Sequence, residues 1–195
     1  MVREIRIYYE GDGRLKSGFD KFFEPLKEKA REYRCRFRLI AGGGNPARDF
    51  ADAVATHADS WNILLKDSEG PAKATAASSI CQHQGLDPSH ADSIFWMVEM
   101  MEAWFHADKD ELARFYGEGF KRNELKRNPK VEQIPKKDLA DGLRAATRGT
   151  LQKGAYHKTA HGPALLARID RDRVRRAAPN CDKLFRAVLA KLSQK

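Results

Sequence analysis

Acidic residues follow three short apolar runs of this chain, at the points where the runs end. Glu10 follows EIRIYY, Asp67 and Glu69 follow SWNILL, and Glu99 and Glu102 follow SIFWMV. Carboxylates that gather in one place bind Mg²⁺ or Mn²⁺, because these ions prefer hard oxygen ligands and keep several of their waters. The alternative is that acids cap strand ends and turns for ordinary local reasons. The candidate metal ligands are Glu10, Asp67, Glu69 and Glu102.

A second dense group of reactive side chains comprises Lys153, Tyr156, Lys158 and His161. Lys158 and His161 are three residues apart and share one face if the segment is helical. A lysine beside a metal site can stabilise the charge that develops on a scissile phosphate, and a histidine can act as an acid or base near neutral pH. Lys158 and His161 are therefore candidate catalytic residues. An exposed basic turn that only grips phosphate is the alternative.

Basic residues in two further places are candidate contacts for a nucleic-acid backbone. The glycines at 42–44 precede a predicted helix, where backbone N–H groups and Arg48 could hold a phosphate. The loop matches neither G-x-G-x-x-G nor G-x-x-x-x-G-K-[ST], so a plain tight turn fits equally well. The run RDRVRR is either a phosphate contact or a solvated helix face. The candidate nucleic-acid contacts are Arg48, Lys153, Lys158, Arg171, Arg173, Arg175 and Arg176.

The elements that must position these residues alternate between strand and helix. Strands are predicted at 4–9, 35–40, 60–65 and 93–98, from alternating or continuous apolar runs. Helical faces are predicted at 18–34, from Pro46, from about Met100 and at 109–116, with a helix or loop at 71–84. This order predicts a mostly parallel sheet with helices on both faces. Functional groups gather at the carboxyl ends of such strands, and Asp67 and Glu69 converge there if Ser68 turns outward.

The distribution of charge divides the chain into two parts. Residues 1–117 carry a formal charge of −3, whereas residues 118–195 carry +12. An extended basic connector is predicted at 118–135, followed by helices at about 136–149, 158–169 and 181–193. We therefore expect an α/β core over 1–117 with a basic helical extension over 118–195 packed on it. The excess charge favours polyanion binding, with a solvated surface of scattered lysines and arginines as the alternative.

Composition excludes several classes of protein. The 195 residues have a mean hydropathy of −0.65 and contain no run of 18 apolar residues, so a transmembrane helix is not expected. The first residues, MVREIRIYYEGDG, carry charges where a signal peptide needs an apolar centre, which predicts a cytoplasmic protein. The cysteines are far apart and predict buried thiols rather than disulfides or zinc ligands. The aromatic residues Trp96, Trp104 and Phe105 lie in apolar runs and are expected in the core rather than stacked on bases.

Several stretches together resemble a family of uncharacterised, mostly bacterial proteins with a TOPRIM-like fold. These stretches are YYEGDG, LLKDSEGP, MVEMMEAWFHADKDELARFYG, KGAYHKTAHGPALLARID and RVRRAAPNCDKLFRAVL. The resemblance implies a glutamate after the first strand that assists as acid, base or ligand, which is Glu10 here. It also implies an acidic metal-binding pair after a later strand, which is Asp67 and Glu69, with Glu69 replacing the usual aspartate. Members are often encoded beside AAA-type ATPases and are suspected of acting against phage and foreign DNA.

The leading functional hypothesis is a Mg²⁺- or Mn²⁺-dependent nuclease, or a related phosphoryl-transfer enzyme, with an ATPase as a partner. The first alternative is a non-catalytic scaffold that binds nucleic acid or an ATPase, since fold does not determine function. The second alternative is a small-molecule phosphohydrolase, which would require a closed pocket rather than an open basic groove.

Overall fold

The computed structural model describes residues 2–71 and 75–194, and it contains a four-stranded sheet that is parallel throughout. The strand order is β2-β1-β3-β4, so each strand's carboxyl end lies at the same edge. Helices flank the sheet, which confirms the predicted α/β class and is consistent with a TOPRIM-like fold. The strands are β1 (Glu4–Tyr9), β2 (Arg36–Ala41), β3 (Trp61–Asp67) and β4 (Ile94–Met97).

The helices that connect and follow these strands begin at recognisable sequence signals. Asn45 caps α3 by accepting a hydrogen bond from the backbone N–H of Arg48, and Asp108 caps α6 in the same way. The helices are α1 (Lys16–Phe22), α2 (Glu24–Glu32), α3 (Pro46–Thr56), α4 (Thr75–His83), α5 (Glu102–Ala107), α6 (Lys109–Tyr116), α7 (Lys136–Thr147), α8 (Lys158–Arg168), α9 (Arg171–Ala177) and α10 (Pro179–Ser193).

Two predictions of local structure were wrong, and one further helix lies outside the predicted helical segments. The single helix expected at 18–34 breaks at Phe23, because Pro25 occupies the first turn of a second helix and has no N–H to continue the first. The run RDRVRR forms α9, a helix that lies between the second and third helical segments predicted for the basic region. The connector at 118–135 is not simply extended, since it contains two short 3₁₀ turns and buries Leu125, Val131 and Ile134.

The sheet separates two clusters of buried side chains. Ile5, Ile7 and Tyr9 of β1 point into the larger cluster, whereas Tyr8 points into the smaller one, as strand alternation requires. The larger cluster includes Phe105 and a stacked pair formed by Phe22 and Trp104, whose ring centroids are 4.9 Å apart. The smaller cluster includes Phe50 of α3 and Trp96 of β4. The three aromatic residues considered for base stacking are therefore core residues, and the three cysteines are buried and free.

Helices of the basic region pack directly on the first 117 residues. Helix α8 lies against α1, and α10 lies against β4 and α2. The α1–α8 approach requires Gly18, because a Cβ atom there would lie 2.5 Å from the backbone oxygen of Pro163. The larger core cluster runs from Ile5 to Leu192 and is shared across the predicted boundary at 117. The division into a core and an extension stays a prediction.

Within the described residues, every helix is too short or too polar to cross a bilayer.

Candidate active site

Three of the predicted metal ligands converge at the carboxyl edge of the sheet. Glu10 follows β1, and Asp67 ends the neighbouring strand β3. The backbone N–H of Asp67 donates to Oε2 of Glu10 at 3.1 Å, which fixes the glutamate beside β3. One carboxylate oxygen from each of Glu10, Asp67 and Glu69 lies within 4.8 Å of the other two. The expected convergence is therefore confirmed, while metal binding by these residues stays a prediction.

Asp67 is the buried centre of this group. Its Oδ1 accepts a hydrogen bond from the backbone N–H of Met101 at 2.8 Å, and its Oδ2 lies 3.5 Å from Nζ of Lys158. Burial raises the pKa of Asp67 to about 7, the charge on Lys158 opposes that rise, and the nearby carboxylates of Glu10 and Glu102 add to it. Asp67 is thus a carboxylate that needs additional positive charge to remain ionised at neutral pH.

Glu102 lies next to this group and contacts residues from the basic region. The hydroxyl of Tyr156 donates to its Oε1 at 2.9 Å, and Nζ of Lys158 lies 3.8 Å from its Oε2. The side chain is only 2% exposed, and among the described residues Oε2 has no hydrogen-bond partner. Buried carboxylate oxygens are normally paired, so this atom calls for a water or a cation. Glu102 is therefore placed to act beside the three converging carboxylates rather than within their group.

Lys158 is a cation held between acids. Burial disfavours its charge, but Glu102, Asp67 and Glu10 together outweigh that effect and raise the pKa of Lys158. Burial, followed by the charge and hydrogen bond of Glu102, raises the pKa of Tyr156, so its hydroxyl remains a donor. The sequence placed Lys158 near the site, and the structure brings it into contact with Asp67.

The loops after β3 and β4 are joined through Ser68. Its Oγ accepts a hydrogen bond from the backbone N–H of Glu99 at 2.8 Å and donates to the carbonyl of Gly70. Ser68 lies between the two converging acids, and its side chain connects the two strand ends. Glu69 and Glu99 both have positive φ angles, of 59° and 64°, which are unusual for residues other than glycine. Such backbone is found at functional sites more often than elsewhere.

Two lysines that sequence reasoning missed also contact the carboxylates. Nζ of Lys66 donates to Oε2 of Glu10 at 3.0 Å, and Nζ of Lys136 pairs with Glu69 at the surface. The backbone N–H of Lys136 also donates to Oε2 of Glu99, which ties the start of α7 to the loop after β4. The position of Lys66 beside Asp67 was a usable signal. No local signal marks Lys136, which lies 67 residues after Glu69.

His161 occupies an aromatic environment next to the site. Its Nδ1 lies 3.0 Å from the hydroxyl of Tyr116 and accepts from the backbone N–H of His157 at 3.3 Å. Burial, and then the charges of Lys153 and His157, lower the pKa of His161, so the ring is neutral at pH 7. Among the described residues, no carboxylate hydrogen-bonds to it. The structure thus does not bring His161 onto the carboxylates, and its catalytic role stays a prediction.

The predicted nucleic-acid contacts lie in three different settings. Arg48 is exposed at the start of α3, with Asp52 at 4.0 Å, and Lys153 lies over the ring of Phe115. Arg173 pairs with Asp108 and Asp110, and Arg175 pairs with Asp172 and Asp182. Arg171 is half-buried and Arg176 is exposed. The run on α9 is therefore partly neutralised within the molecule, and nucleic-acid binding by these residues stays a prediction.

The residues at the carboxyl edge fit a hard divalent cation. They supply oxygen ligands, which Mg²⁺ and Mn²⁺ prefer. Burial, and then the neighbouring carboxylates of Glu10 and Glu102, raise the pKa of Asp67, and a bound cation would oppose both effects. Oε2 of Glu102 is a further acceptor next to this group, since among the described residues it has no hydrogen bond and only an ion pair with Lys158 at 3.8 Å. The arrangement can hold a cation beside a protonated lysine, which is the chemistry required to bind and polarise a phosphate.

Comparison with known proteins gives one match. A family model described as "Domain of unknown function (DUF4276)" matches residues 15–189, which is most of the chain. No curated protein and no solved structure matches significantly.

Proposed function

The chain belongs to the DUF4276 family, and we propose that it is a divalent-metal-dependent enzyme that hydrolyses phosphodiester bonds in nucleic acid. The observation that carries this proposal is the convergence of Glu10, Asp67 and Glu69 within 4.8 Å, beside the half-buried side chain of Lys158. Carboxylates alone could hold a structural ion. The adjoining lysine supplies a second cation for a phosphate.

Each residue of the site has a distinct task in this proposal. Glu10, Asp67 and Glu69 hold the cation through one oxygen each. When bound, Mg²⁺ or Mn²⁺ would activate a water and neutralise phosphate charge. Lys158 stabilises the charge that develops on the phosphate, and Glu102 with Tyr156 holds Lys158 in place. Hydrogen bonding of Glu10 to the backbone of β3 keeps its carboxylate aimed at the same position.

The basic region supports nucleic acid as the substrate. Its formal charge of +12 would attract a polyanion and give a strongly salt-dependent affinity. An AAA-type ATPase as a partner, a role in defence against foreign DNA and a cytoplasmic location follow from the resemblance and the composition. They are part of the proposal.

A scaffold without catalytic activity is the second candidate, and one observation favours it. Lys66 and Lys136 pair with Glu10 and Glu69, and Lys158 pairs with Asp67. Lysines of the chain thus contact each of the three carboxylates. In this case the site would be a structural network of ion pairs, and the basic region would bind nucleic acid or a partner protein.

The substitution Asp67→Asn separates these candidates, because it keeps the side chain's shape and removes the charge that a divalent ion requires. We expect calorimetric affinity for Mn²⁺ to fall about 100-fold or more, beyond the usual effect of an outer partner of a metal ligand. Cleavage of labelled DNA and RNA with Mn²⁺ should be abolished, while binding of the same strands in EDTA should change less than about twofold. Small phosphate esters as substrates would reveal a phosphohydrolase instead.

Asp141→Asn is the matched control, since in the described part of the chain the ion pair of Asp141 is with the exposed Lys137 on α7. It should leave Mn²⁺ binding and cleavage unchanged. Wild-type cleavage that persists in EDTA, or that survives Asp67→Asn, would refute the proposed mechanism. If Mn²⁺ fails to bind and no strand is cleaved, even when an AAA-type ATPase encoded beside this protein is added, the scaffold hypothesis is correct.

A further inference from the structure

A pocket lined by cations lies at the opposite end of α5 from the carboxylates. Its volume is about 420 Å³, within the range of roughly 300–1,000 Å³ that is typical of ligand pockets. Glu102 begins α5, whereas His106 and Ala107 at its end line the pocket. Between Glu102 and Ala107 the helix rises about 7 to 8 Å along its axis, which separates the pocket from the carboxylates. The cations that line this basic pocket are Lys109, Arg122, Arg127, Arg173 and Arg176.

Carboxylates of the chain neutralise only part of this charge. Arg173 contacts Asp108, Asp110 and Asp170, and Arg122 shares Asp110 with it. Hydrogen bonds from Arg173 and Arg122 lower the pKa of Asp110 to about 2, so Asp110 is fully ionised at neutral pH.

The remaining three cations of the pocket have no such partners. In the part of the chain that the structure describes, no carboxylate lies within 4.0 Å of the charged atoms of Lys109, Arg127 or Arg176. Nζ of Lys109 donates to the backbone carbonyl of Lys126. Burial, and then repulsion from Arg122 and Arg127, lower the pKa of Lys109. Positive charges therefore lie close together in a concave site, where a bound anion would reduce their mutual repulsion.

The positive charge of the pocket does not depend on histidine protonation. His106 is buried, and its Nε2 donates to the carbonyl of Leu139 at 3.1 Å. Burial lowers the pKa of His106 to about 4, so the ring is neutral at physiological pH. The charge comes from arginines and a lysine, and arginine is suited to two-point recognition of phosphate oxygens.

We propose that the basic pocket is a phosphate-binding site, distinct from the carboxylate site and independent of metal. The ligand is a phosphoryl group, which could belong to a free nucleotide or to a nucleic-acid strand. Arg127 and Arg176 provide the free guanidinium groups, and Lys109 adds a point charge. This inference goes beyond the proposed function, because phosphate binding in the pocket does not depend on whether the carboxylates hold a metal.

The test compares two double variants of the full chain with equal net charge. Arg127→Gln/Arg176→Gln removes two guanidinium groups that have no carboxylate within 4.0 Å among the described residues, whereas Arg144→Gln/Arg148→Gln removes two exposed arginines that do not line the pocket. Binding of inorganic phosphate, a nucleoside monophosphate, and matched oligonucleotides with a 5′-phosphate or a 5′-hydroxyl is measured by calorimetry in EDTA. We expect the pocket variant to lose affinity about tenfold or more, and the control to stay within about twofold.

The probes distinguish the sources of the phosphoryl group. A preference for the nucleoside monophosphate assigns a free nucleotide, a preference for the 5′-phosphorylated strand assigns a strand terminus, and equal binding of both strands assigns the internal backbone. Equal losses in both double variants would overturn the inference. A wild-type protein that binds none of the probes, with no phosphate density in the pocket of soaked crystals, would also overturn it. Mn²⁺ binding measured without phosphate reports separately on the proposed function.

Discussion

The carboxylate site and the basic pocket differ in how their charges are matched. At the carboxylate site, Glu10, Asp67 and Glu69 each have a lysine within 4.0 Å. In the basic pocket, Lys109, Arg127 and Arg176 have no such counterion among the described residues. We therefore expect the first site to exchange its lysine contacts for a metal ion and to respond to protons. The second responds to anions and to salt.

The comparison also explains where the positive charge of the last 78 residues goes. Some basic residues of that segment form ion pairs with acids of the first 117 residues. These pairs are Lys136 with Glu69, Lys158 with Asp67 and Arg173 with Asp108. The other part of the charge remains exposed. Net charge thus overstates the surface available to nucleic acid, because some of the lysines and arginines serve to position the site.

The largest effect that would sharpen this contrast is expected from Lys158→Ala. If Lys158 stabilises the transition-state phosphate, its loss should lower the saturated cleavage rate by about 100-fold to 1,000-fold, with little change in strand affinity. Single-turnover cleavage at saturating enzyme measures the rate, and fluorescence anisotropy in EDTA measures the affinity. Lys137→Ala on the exposed face of α7 is the control. A normal cleavage rate with weakened strand binding would show that Lys158 binds the phosphate but does not stabilise the transition state.

The next effect is a pH dependence that belongs to the carboxylate site alone. Because the pKa of Asp67 is raised to about 7, a proton competes with a divalent ion there. We expect the apparent Mn²⁺ affinity to fall about tenfold per pH unit below pH 7. Binding of the 5′-hydroxyl oligonucleotide in EDTA should show no such inflection, because its phosphodiesters stay ionised throughout this range. Calorimetry between pH 5.5 and 8 checks both. A flat Mn²⁺ profile would remove Asp67 from the metal site.

The same group makes a prediction about stability without metal. A raised pKa means that the folded protein binds the Asp67 proton more tightly than the unfolded chain does. The contribution of Asp67 to stability is therefore largest below its ordinary pKa near 4 and is lost as pH rises to about 7. Asp67→Asn lacks this loss, so its melting temperature relative to wild type should increase across that range. An unchanged difference would contradict the assignment.

The smallest expected effect concerns salt and distinguishes two arginines on α9. Arg176→Gln should reduce the slope of log affinity for nucleic acid against log salt by about one, because Arg176 is free to release a counterion. Arg175→Gln should leave the slope nearly unchanged, since Arg175 already pairs with Asp182 and lies over the ring of Phe185. Equal effects of the two substitutions would show that internal pairing does not decide which arginines touch phosphate.

The sequence by itself determined the parallel sheet and the edge at which the acids gather. Apolar runs at 4–9 and 60–65 predict buried strands of a mostly parallel sheet, and parallel strands bring their carboxyl ends to one side. Glu10 and Asp67 could therefore be predicted from their positions alone. Burial of Trp104 followed from its place in an apolar run, and burial of the cysteines from their wide spacing.

Only the tertiary structure decided which residues of the basic region complete the site. Lys158 lies 91 residues after Asp67, and Tyr156 lies 54 residues after Glu102. Hydrophobic periodicity specifies which face of a helix is buried, but not where along the sheet that helix docks. Here the docking of α8 depends on the close approach of Pro163 to Gly18, a contact between distant segments that no local pattern encodes. Lys158 therefore reaches Asp67 through packing far from either residue in sequence.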